Sequence, residues 1–260
     1  MANYSNVKLM LLSVVQSIEI FHLCFLSILQ TRVQPRSYVV KGGANLRYFF
    51  GSPRYSEDID LDTIQTERWR LEEHIDAILN GPALLRLLTA QGLNIADWNK
   101  PKQTETTQRW KIGLSNRTQT EVRTELEFSR REIEGDFDLL VVPDQFVRRY
   151  GIRPPTVQRY DASAMLKQKV LALALRNETQ ARDVFDLELL FRACPEATPF
   201  GGVDEPTRTQ AIAAATGLAY ATYNTQVVPF LESDVVEIYA SEDSWNRAQE
   251  YVIGRLEQVS

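Results

Sequence analysis

The sequence predicts an α/β (α+β) protein, in which a mixed sheet with flanking helices is followed by a helical C-terminal part. A β-branched run at 39–40 leads into a glycine pair at 42–43 and then into a helical stretch, which is typical of a strand–turn–helix unit. Residues 109–114 and 121–129 alternate apolar and polar side chains, as half-buried strands do. From residue 161 onward, apolar residues recur with helical spacing.

The length allows one large domain or two modest ones, because 260 residues can bury a sizeable core. We expect a boundary in the segment 143–160, where prolines and glycine interrupt regular patterns. The expected parts are an α/β domain over 1–150, which includes an N-terminal helix, and a helical domain over 151–260. In the second part, Asp161 and Ser241 are expected to cap helices.

The charge and cysteine content exclude some classes of protein. A net charge of −5 excludes a surface that is positive all over, although a local basic groove for nucleic acid remains compatible with it. Cys24 and Cys194 lie far apart without the spacing of metal ligands, so we expect a reducing, cytoplasmic location. With two histidines in the chain, a zinc site is not expected.

The N-terminal segment 7–29 is apolar and almost long enough to span a membrane. Gln16, Glu19 and His22 lie near its middle, where they would be costly against lipid. We therefore predict a helix buried against the sheet and no membrane association, with a membrane span as the alternative. His22 is predicted to be a hydrogen-bonded core histidine and not a metal ligand.

Acidic residues dominate the strand that is predicted after the glycine pair and its helical stretch. Alternate residues of a strand point to one face, so Asp58 and Asp60, with Asp62 beyond them, are expected side by side. Paired carboxylates of this kind suit Mg²⁺, and two ions can clamp the attacking and leaving oxygens of a transfer reaction. A third carboxylate is expected from a neighbouring strand, from Glu127 or Glu125. The competing interpretation is a solvated acidic turn.

The glycine pair lies where a strand meets a helix. Gly42 and Gly43 carry no Cβ, so their backbone N–H groups can approach an anion such as a phosphate. Lys41 and Arg54 either add positive charge toward a triphosphate or lie on the surface. A glycine pair by itself usually marks a turn, and the acidic strand nearby is what favours a phosphate site.

Two features of the C-terminal part carry charge among apolar residues. Lys169 shares a helix face with apolar neighbours three and four positions away, so a buried lysine with an anionic partner is predicted. That partner is either a phosphate or a carboxylate, and the alternative is a lysine that reaches solvent at the edge of the apolar face. Arg182 and Asp186 are four residues apart, which a surface salt bridge explains.

These motifs together resemble a known family. They are Lys41-Gly42-Gly43, Arg54-Tyr55-Ser56-Glu57-Asp58-Ile59-Asp60-Leu61, Lys169 and Arg182-Asp183-Val184-Phe185-Asp186-Leu187. Over residues 38–190 the chain resembles the AbiEii/AbiGii-type nucleotidyltransferase toxin family, which belongs to the polymerase-beta-like nucleotidyltransferase superfamily. The resemblance implies that superfamily's mixed sheet. The family usually has Thr or Ser after the glycines, whereas this chain has Ala44, which removes a hydroxyl from the phosphate cradle.

The resemblance also implies roles for individual residues. Asp58 and Asp60 match the metal-binding pair, and Glu127 corresponds to the third carboxylate, with Glu125 as the alternative. Lys169 joins these three carboxylates as a catalytic candidate. The candidates for nucleotide binding are Gly42, Gly43, Lys41, Arg54, Ser56 and Asp186.

The function implied by the resemblance is Mg²⁺-dependent transfer of a nucleoside monophosphate (NMP) from a nucleoside triphosphate (NTP) to an acceptor, with tRNA as the expected acceptor. The protein would act as the toxin of a bacterial toxin–antitoxin or phage-defence system, with an antitoxin as partner. A basic face for tRNA is expected from Arg130, Arg131, Arg148, Arg149 and Arg153. The alternatives are transfer to a protein or small molecule, and a non-catalytic nucleotide-binding or regulatory module.

Overall fold

The computed structural model describes residues 12–116, 120–131, 133–197 and 202–258. Within these ranges, seven strands form one mixed sheet in the order β3-β4-β5-β2-β1-β7-β6. Strand β1 is antiparallel to β2 and parallel to β7, and β2 is parallel to β5. The strands are β1 Tyr38–Lys41, β2 Ile59–Thr63, β3 Leu93–Gln103, β4 Thr107–Asn116, β5 Glu121–Ser129, β6 Phe137–Val141 and β7 Thr156–Tyr160.

Helices surround this sheet and make up most of the second half of the chain. Those within residues 1–150 are α1 Val14–Arg32, α2 Gly42–Phe49, α3 Arg68–Leu79, α4 Pro82–Ala90 and α5 Asp144–Val147. Those in the second half are α6 Ala162–Leu175, α7 Ala181–Ala193, α8 Glu205–Thr216, α9 Tyr220–Gln226, α10 Val236–Tyr239 and α11 Glu242–Glu257. The predicted class, a mixed sheet with flanking helices followed by a helical part, is confirmed.

Helix α1 lies in the core, as predicted. It packs on α3, α4 and strand β5, and its first turn is closed by a capping box between Ser13 and Gln16. It is the one described helix long and apolar enough to cross a membrane, and 67% of its most apolar window is buried inside the protein. His22 is fully buried, and its Nε2 lies 2.8 Å from the hydroxyl of Thr124. The predicted start of this helix, residues 7–11, lies outside the described residues.

The segment 143–160 was predicted to be irregular, and this prediction is wrong. It contains α5 and strand β7, which pairs with both β1 and β6 inside the sheet. The prolines mislead because Pro155 directly precedes the first residue of the strand, where a missing N–H costs little. The division at residue 150 stays a prediction, although β7 from the second part completes the sheet of the first.

The C-terminal helices build a second apolar cluster on the other face of the sheet. Val39 of β1, Leu46 of α2 and Tyr160 of β7 pack into this cluster with side chains of α6 and α7. The predicted caps are confirmed, because Asp161 accepts from the N–H of Ala164 and Ser241 accepts from the N–H of Ser244. The helical part therefore reaches the strands that carry the glycines and the acidic residues.

Candidate active site

Helix α2 follows β1 directly and begins with two glycines that other residues crowd closely. We call this junction the glycine turn. Gly42 has a φ of +62°, in the left-handed region that side chains disfavour. A Cβ on Gly42 would lie 2.7 Å from Oδ2 of Asp60, and one on Gly43 would lie 2.5 Å from the hydroxyl of Ser56. The glycines therefore allow the backbone to approach the acidic strand, and the structure brings Gly42, Gly43, Ser56 and Asp60 together.

This crowding leads to a prediction about Gly43. We expect Gly43→Ala to destabilise the protein by about 1–3 kcal/mol, because the new methyl group overlaps the hydroxyl of Ser56. Chemical denaturation measures the effect. In the Ser56→Ala background the same change should cost clearly less, since the overlapping oxygen is gone. An equal cost in both backgrounds would show that the contact with Ser56 does not limit this position.

Asp58 and Asp60 stand at the start of β2 with raised pKa values. Burial raises the pKa of Asp58 to about 7, and repulsion from Asp60 and Glu125 adds to this. Burial also raises the pKa of Asp60, while Lys41 opposes the rise and Glu127 adds to it. The backbone N–H of Glu125 donates to Oδ1 of Asp58 over 2.8 Å and holds that carboxylate in place.

Asp62, the third acidic residue of the strand, is separate from this pair. It accepts from the ammonium of Lys41 (2.5 Å) and from the hydroxyl of Tyr160 (2.6 Å). Lys41, a candidate for triphosphate binding, therefore has a carboxylate partner in the structure. Because Lys41 and Tyr160 bind Asp62, the carboxylates of this strand that remain as candidates for binding a cation are those of Asp58 and Asp60.

Glu127 lies beside Asp60 but faces a cation of the next strand. The two residues are paired in the parallel register of β2 and β5. The guanidinium of Arg109 on β4 donates to Glu127 through Nε (2.8 Å) and Nη2. Arg109 also lies 3.2 Å from Glu125, whose other oxygen is 3.1 Å from Lys111. Both candidates for the third carboxylate therefore share one arginine.

The acidic pair fits a divalent cation in chemistry and charge. Two partly buried carboxylates with raised pKa values are costly to ionise together, and hard oxygen ligands are those Mg²⁺ prefers. Among the described residues, no three His, Cys, Asp or Glu side chains are grouped closely enough to hold a metal ion. Asp58 and Asp60 are therefore the two carboxylates whose chemistry fits a cation, and Glu127 would join them only after turning from Arg109.

A buried charge network lies behind the glycine turn. Lys169 is 7% exposed, and its ammonium lies 2.6 Å from Asp186 and 3.0 Å from Asp183. Burial alone would raise the pKa of Asp186, but Arg54 and Lys169 bring it below the ordinary value. The predicted buried lysine is thus present with carboxylate partners, and the alternative of a solvent-reaching lysine is wrong.

Arg54 connects this network to the glycine turn. Its guanidinium lies 3.3 Å from Asp186 and 3.4 Å from where a Cβ of Gly43 would be. The turn that carries Arg54 is itself held by the C-terminal part, because the N–H of Tyr55 donates to the carbonyl of Phe230 over 2.7 Å. Arg54, Lys169 and Asp186 are therefore brought together directly beneath the predicted phosphate cradle.

The predicted surface salt bridge between Arg182 and Asp186 is wrong. Asp186 is fully buried and faces Lys169 and Arg54, whereas Arg182 reaches the carboxylate of Glu57 at 3.3 Å. The helical spacing places both residues on α7, but it does not determine which side chains of other segments each one contacts. As a result, Arg182 lies beside the acidic strand, where it lowers the pKa of Asp60 against the effect of burial.

Three further findings concern Arg109, Arg149 and Ala44. Arg109 was missed, although its position opposite Glu127 follows once β4 and β5 pair in their observed register. Arg149 was predicted to belong to an exposed basic face, but its guanidinium binds the buried carboxylate of Glu19 at 2.5 Å. Ala44 is 1% exposed and packs in the core, so the position after the glycines faces inward.

Comparison with known proteins agrees with this geometry. The family described as the nucleotidyl transferase AbiEii toxin of type IV toxin–antitoxin systems matches residues 25–250. The fold is similar to that of JHP933 from Helicobacter pylori, with a TM-score of 0.58 and 16% identity, covering 96% of each chain. It is also similar to MenT4, a nucleotidyltransferase toxin from Mycobacterium tuberculosis, with a TM-score of 0.56 and 17% identity, covering 95% of this chain and 85% of MenT4.

No curated protein sequence matches the chain. The two structural similarities have low sequence identity, so they bear on the fold alone. The family match extends over most of the chain, and it confirms the resemblance carried by the glycine pair and the acidic strand. The chain therefore belongs to the AbiEii family of nucleotidyltransferase toxins, and it is a nucleotidyltransferase of the type IV toxin–antitoxin class.

Proposed function

We propose that this nucleotidyltransferase transfers an NMP from an NTP to an RNA acceptor of the tRNA class in a Mg²⁺-dependent reaction. An acceptor hydroxyl would form the new bond to the α-phosphorus, and pyrophosphate would leave. In the cell it would act as a toxin, with an antitoxin as its partner and phage defence as its expected setting. The observation that carries the proposal is the position of the acidic pair, because Oδ2 of Asp60 lies 2.7 Å from where a Cβ of Gly42 would be. Phosphate cradle and carboxylates thus meet at one point.

In this proposal, backbone N–H groups and cationic side chains bind the phosphates, and carboxylates bind Mg²⁺. Gly42 and Gly43 open α2, and the backbone N–H groups at the start of a helix are suited to bind a phosphate. Arg54 and Lys169 place positive charge behind this turn, and Asp186 holds both of them. Asp58 and Asp60 are the proposed ligands of Mg²⁺. When bound, Mg²⁺ neutralises charge on phosphoryl oxygens and favours deprotonation of an acceptor hydroxyl.

Labelling with radioactive nucleotide tests the proposal. Purified protein is incubated with each α-labelled NTP in turn, with Mg²⁺ and total tRNA, and label in the RNA is counted. Label is expected with the wild type and not with Asp58→Ala or Asp60→Ala. Arg123→Ala is the control, because Arg123 is an exposed arginine of β5 that pairs with Asp97. Equal labelling by the wild type and both aspartate variants would refute the proposed site.

A second candidate function keeps the site and changes the acceptor to a protein side chain or a small molecule. It is favoured by the net charge of −5 and by Arg149, which was predicted to bind tRNA. The guanidinium of Arg149 binds the buried carboxylate of Glu19 instead. Label transferred to total protein, with none in RNA, would favour this candidate.

A non-catalytic module was the remaining alternative, based on Ala44. Isothermal titration with NTP separates it from an enzyme, because a working site should bind NTP more tightly with Mg²⁺ than with EDTA. We expect Mg²⁺-dependent binding in the wild type and its loss in Asp60→Ala. Identical binding curves with Mg²⁺ and with EDTA would favour the module.

A further inference from the structure

Four segments that lie at the end of the sheet opposite the acidic pair are bound to one another. Arg130 joins three of them, because its N–H donates to the carbonyl of Thr106 (2.9 Å) and its guanidinium to the carbonyl of Thr66 (2.7 Å). The N–H of Ile64 donates to the carbonyl of Ser37 over 2.8 Å and adds the fourth segment. The side chains on these segments therefore form one continuous edge of the molecule.

This edge is rich in cations that solvent can reach. We define the arginine rim as five cationic side chains together with Trp69. They lie on these segments and on the adjoining end of β3. The cations are Arg36, Arg68, Arg70, Lys102 and Arg131. Arg130 adds a sixth, half-buried charge, and among the described residues of these segments and of α3 the exposed carboxylates include those of Glu67, Glu73 and Glu105.

The balance of charge at the rim is opposite to that of the whole chain. The chain carries a net charge of −5, whereas among the described residues named here the six cations (the five of the rim and Arg130) outnumber the three carboxylates. Arg68 pairs with Glu105 at 3.2 Å, but the Glu105 side chain is 84% exposed. An exposed pair of this kind is weak in water, so Arg68 can exchange its partner for a phosphate at little cost.

Trp69 distinguishes the rim from an ordinary solvated charged surface. It is 57% exposed, and the guanidinium of Arg70 lies 5.4 Å from the centre of its ring. Its ring is exposed between Arg68 and Arg70 in the sequence, so a ligand that contacts these cations can also contact the ring. Proteins that bind single-stranded nucleic acid combine such aromatic side chains, on which bases stack, with cations that contact the backbone.

We propose that the arginine rim binds the RNA acceptor, with its cations on the phosphates and Trp69 stacked on an unpaired base. The inference rests on the proposed function, since it names the surface by which that acceptor is held. Asp60 lies in strand β2 and Ile64 directly follows its last residue, so about 13 Å separates them at roughly 3.3 Å per residue. A single-stranded RNA end can span that distance, so an RNA held at the rim can present its end to Asp58 and Asp60.

Binding of RNA is measured without NTP and with EDTA, which separates the rim from the reaction. The probe is a fluorescein-labelled RNA hairpin with a short single-stranded 3′ end, followed by anisotropy at low and at moderate salt. We expect Arg70→Glu/Arg131→Glu to weaken binding at least about tenfold and to flatten its salt dependence. Trp69→Ala is expected to weaken binding at least about fivefold, and RNA should quench the emission of Trp69.

Two controls make the result specific to the rim. Arg148→Glu reverses a charge whose side chain is 79% exposed on another surface, and it should change the dissociation constant less than twofold. Asp58→Asn removes the proposed metal ligand and should bind the hairpin as the wild type does. Thermal melting of each rim variant checks that it is folded, and these exposed positions should leave it unchanged.

Binding by the rim variants as tight as that of the wild type would overturn the inference. So would a wild type that fails to bind the hairpin, or one that binds an acidic peptide equally well, which would indicate a protein acceptor. None of these outcomes affects the proposed nucleotidyl transfer, because labelling with NTP and the aspartate variants tests that step by itself. Conversely, a failure of labelling would leave the measured RNA affinity of the rim standing.

Discussion

Asp58→Asn is expected to abolish nucleotidyl transfer and, in metal-free buffer at pH 8, to raise the melting temperature. The loss of transfer should be at least about a hundredfold, because the variant removes one of the two proposed carboxylate ligands of Mg²⁺. The gain in stability has a separate cause. Burial and repulsion from Asp60 and Glu125 make the Asp58 carboxylate costly to ionise in the folded protein.

The sign of this effect follows from proton linkage. The pKa of Asp58 rises from 3.8 in the unfolded chain to about 7 in the folded protein. Between these pH values the folded protein binds more protons, so the free energy of unfolding falls as the pH rises from about 4 through about 7. The full difference corresponds to roughly 4 kcal/mol as an upper bound. Asparagine carries no such cost and keeps the oxygen that accepts from the N–H of Glu125.

Thermal melts of the wild type and Asp58→Asn at pH 5 and pH 8, with EDTA, measure this prediction. We expect the variant to be more stable by several degrees at pH 8 and the difference to shrink at pH 5. Asp97→Asn is the control, because Asp97 is an exposed aspartate on β3 of the same sheet. A variant that is inactive and less stable at pH 8 would show that the Asp58 carboxylate stabilises the fold, contrary to this account.

Arg47→Ala is expected to lower the free energy of unfolding by about 3–5 kcal/mol, the usual cost of breaking a buried ion pair. Arg47 is 2% exposed, and its guanidinium binds Glu19 of α1 at 2.7 Å and Glu232 at 2.6 Å. Glu19 is 3% exposed and also accepts from the hydroxyl of Tyr150 over 2.8 Å. Removing Arg47 leaves Glu19 buried with less positive charge around it.

The consequence for the site follows from where Arg47 lies. It stands on α2, the helix that begins with the glycine turn, and it ties this helix to α1 and to the C-terminal segment. A loss of 3–5 kcal/mol corresponds to a fall in melting temperature of about 10 °C for a chain of this size. Arg148→Ala, which removes an exposed pair with Asp144, should change stability by less than about 0.5 kcal/mol. Equal melting of both variants would contradict this interpretation.

Much of the fold follows from local patterns in the sequence. The strand over Glu121–Ser129 agrees with its alternation of apolar and polar residues, and the helix that begins after Asp161 agrees with its cap. Strand β7 was missed because Pro154 and Pro155 precede it and the strand has only five residues, Thr156–Tyr160. Its place beside β1 depends on parallel pairing between distant segments, which no local alternation reveals.

The residues of the candidate site were also predictable from the sequence only in part. The glycine pair and the alternate aspartates can be recognised because the chemistry of each depends on neighbours along the chain. The partner of each charge depends on segments far apart, and here prediction failed for Asp186 and for Arg149. Asp186 binds Arg54 across 132 positions, and Arg149 binds Glu19 across 130 positions.

The sequence by itself determined the mixed class, the helix caps and the chemistry of the glycine turn and acidic strand. These depend on backbone sterics, on spacing and on the choice of carboxylate and glycine at fixed positions. Only the tertiary structure decided that Arg109 holds Glu127, that Lys169 holds Asp183 and Asp186, and that Ala44 faces the core. The physical reason is that a buried charge takes the opposite charge that packing brings nearest, and packing joins residues without regard to their separation in sequence.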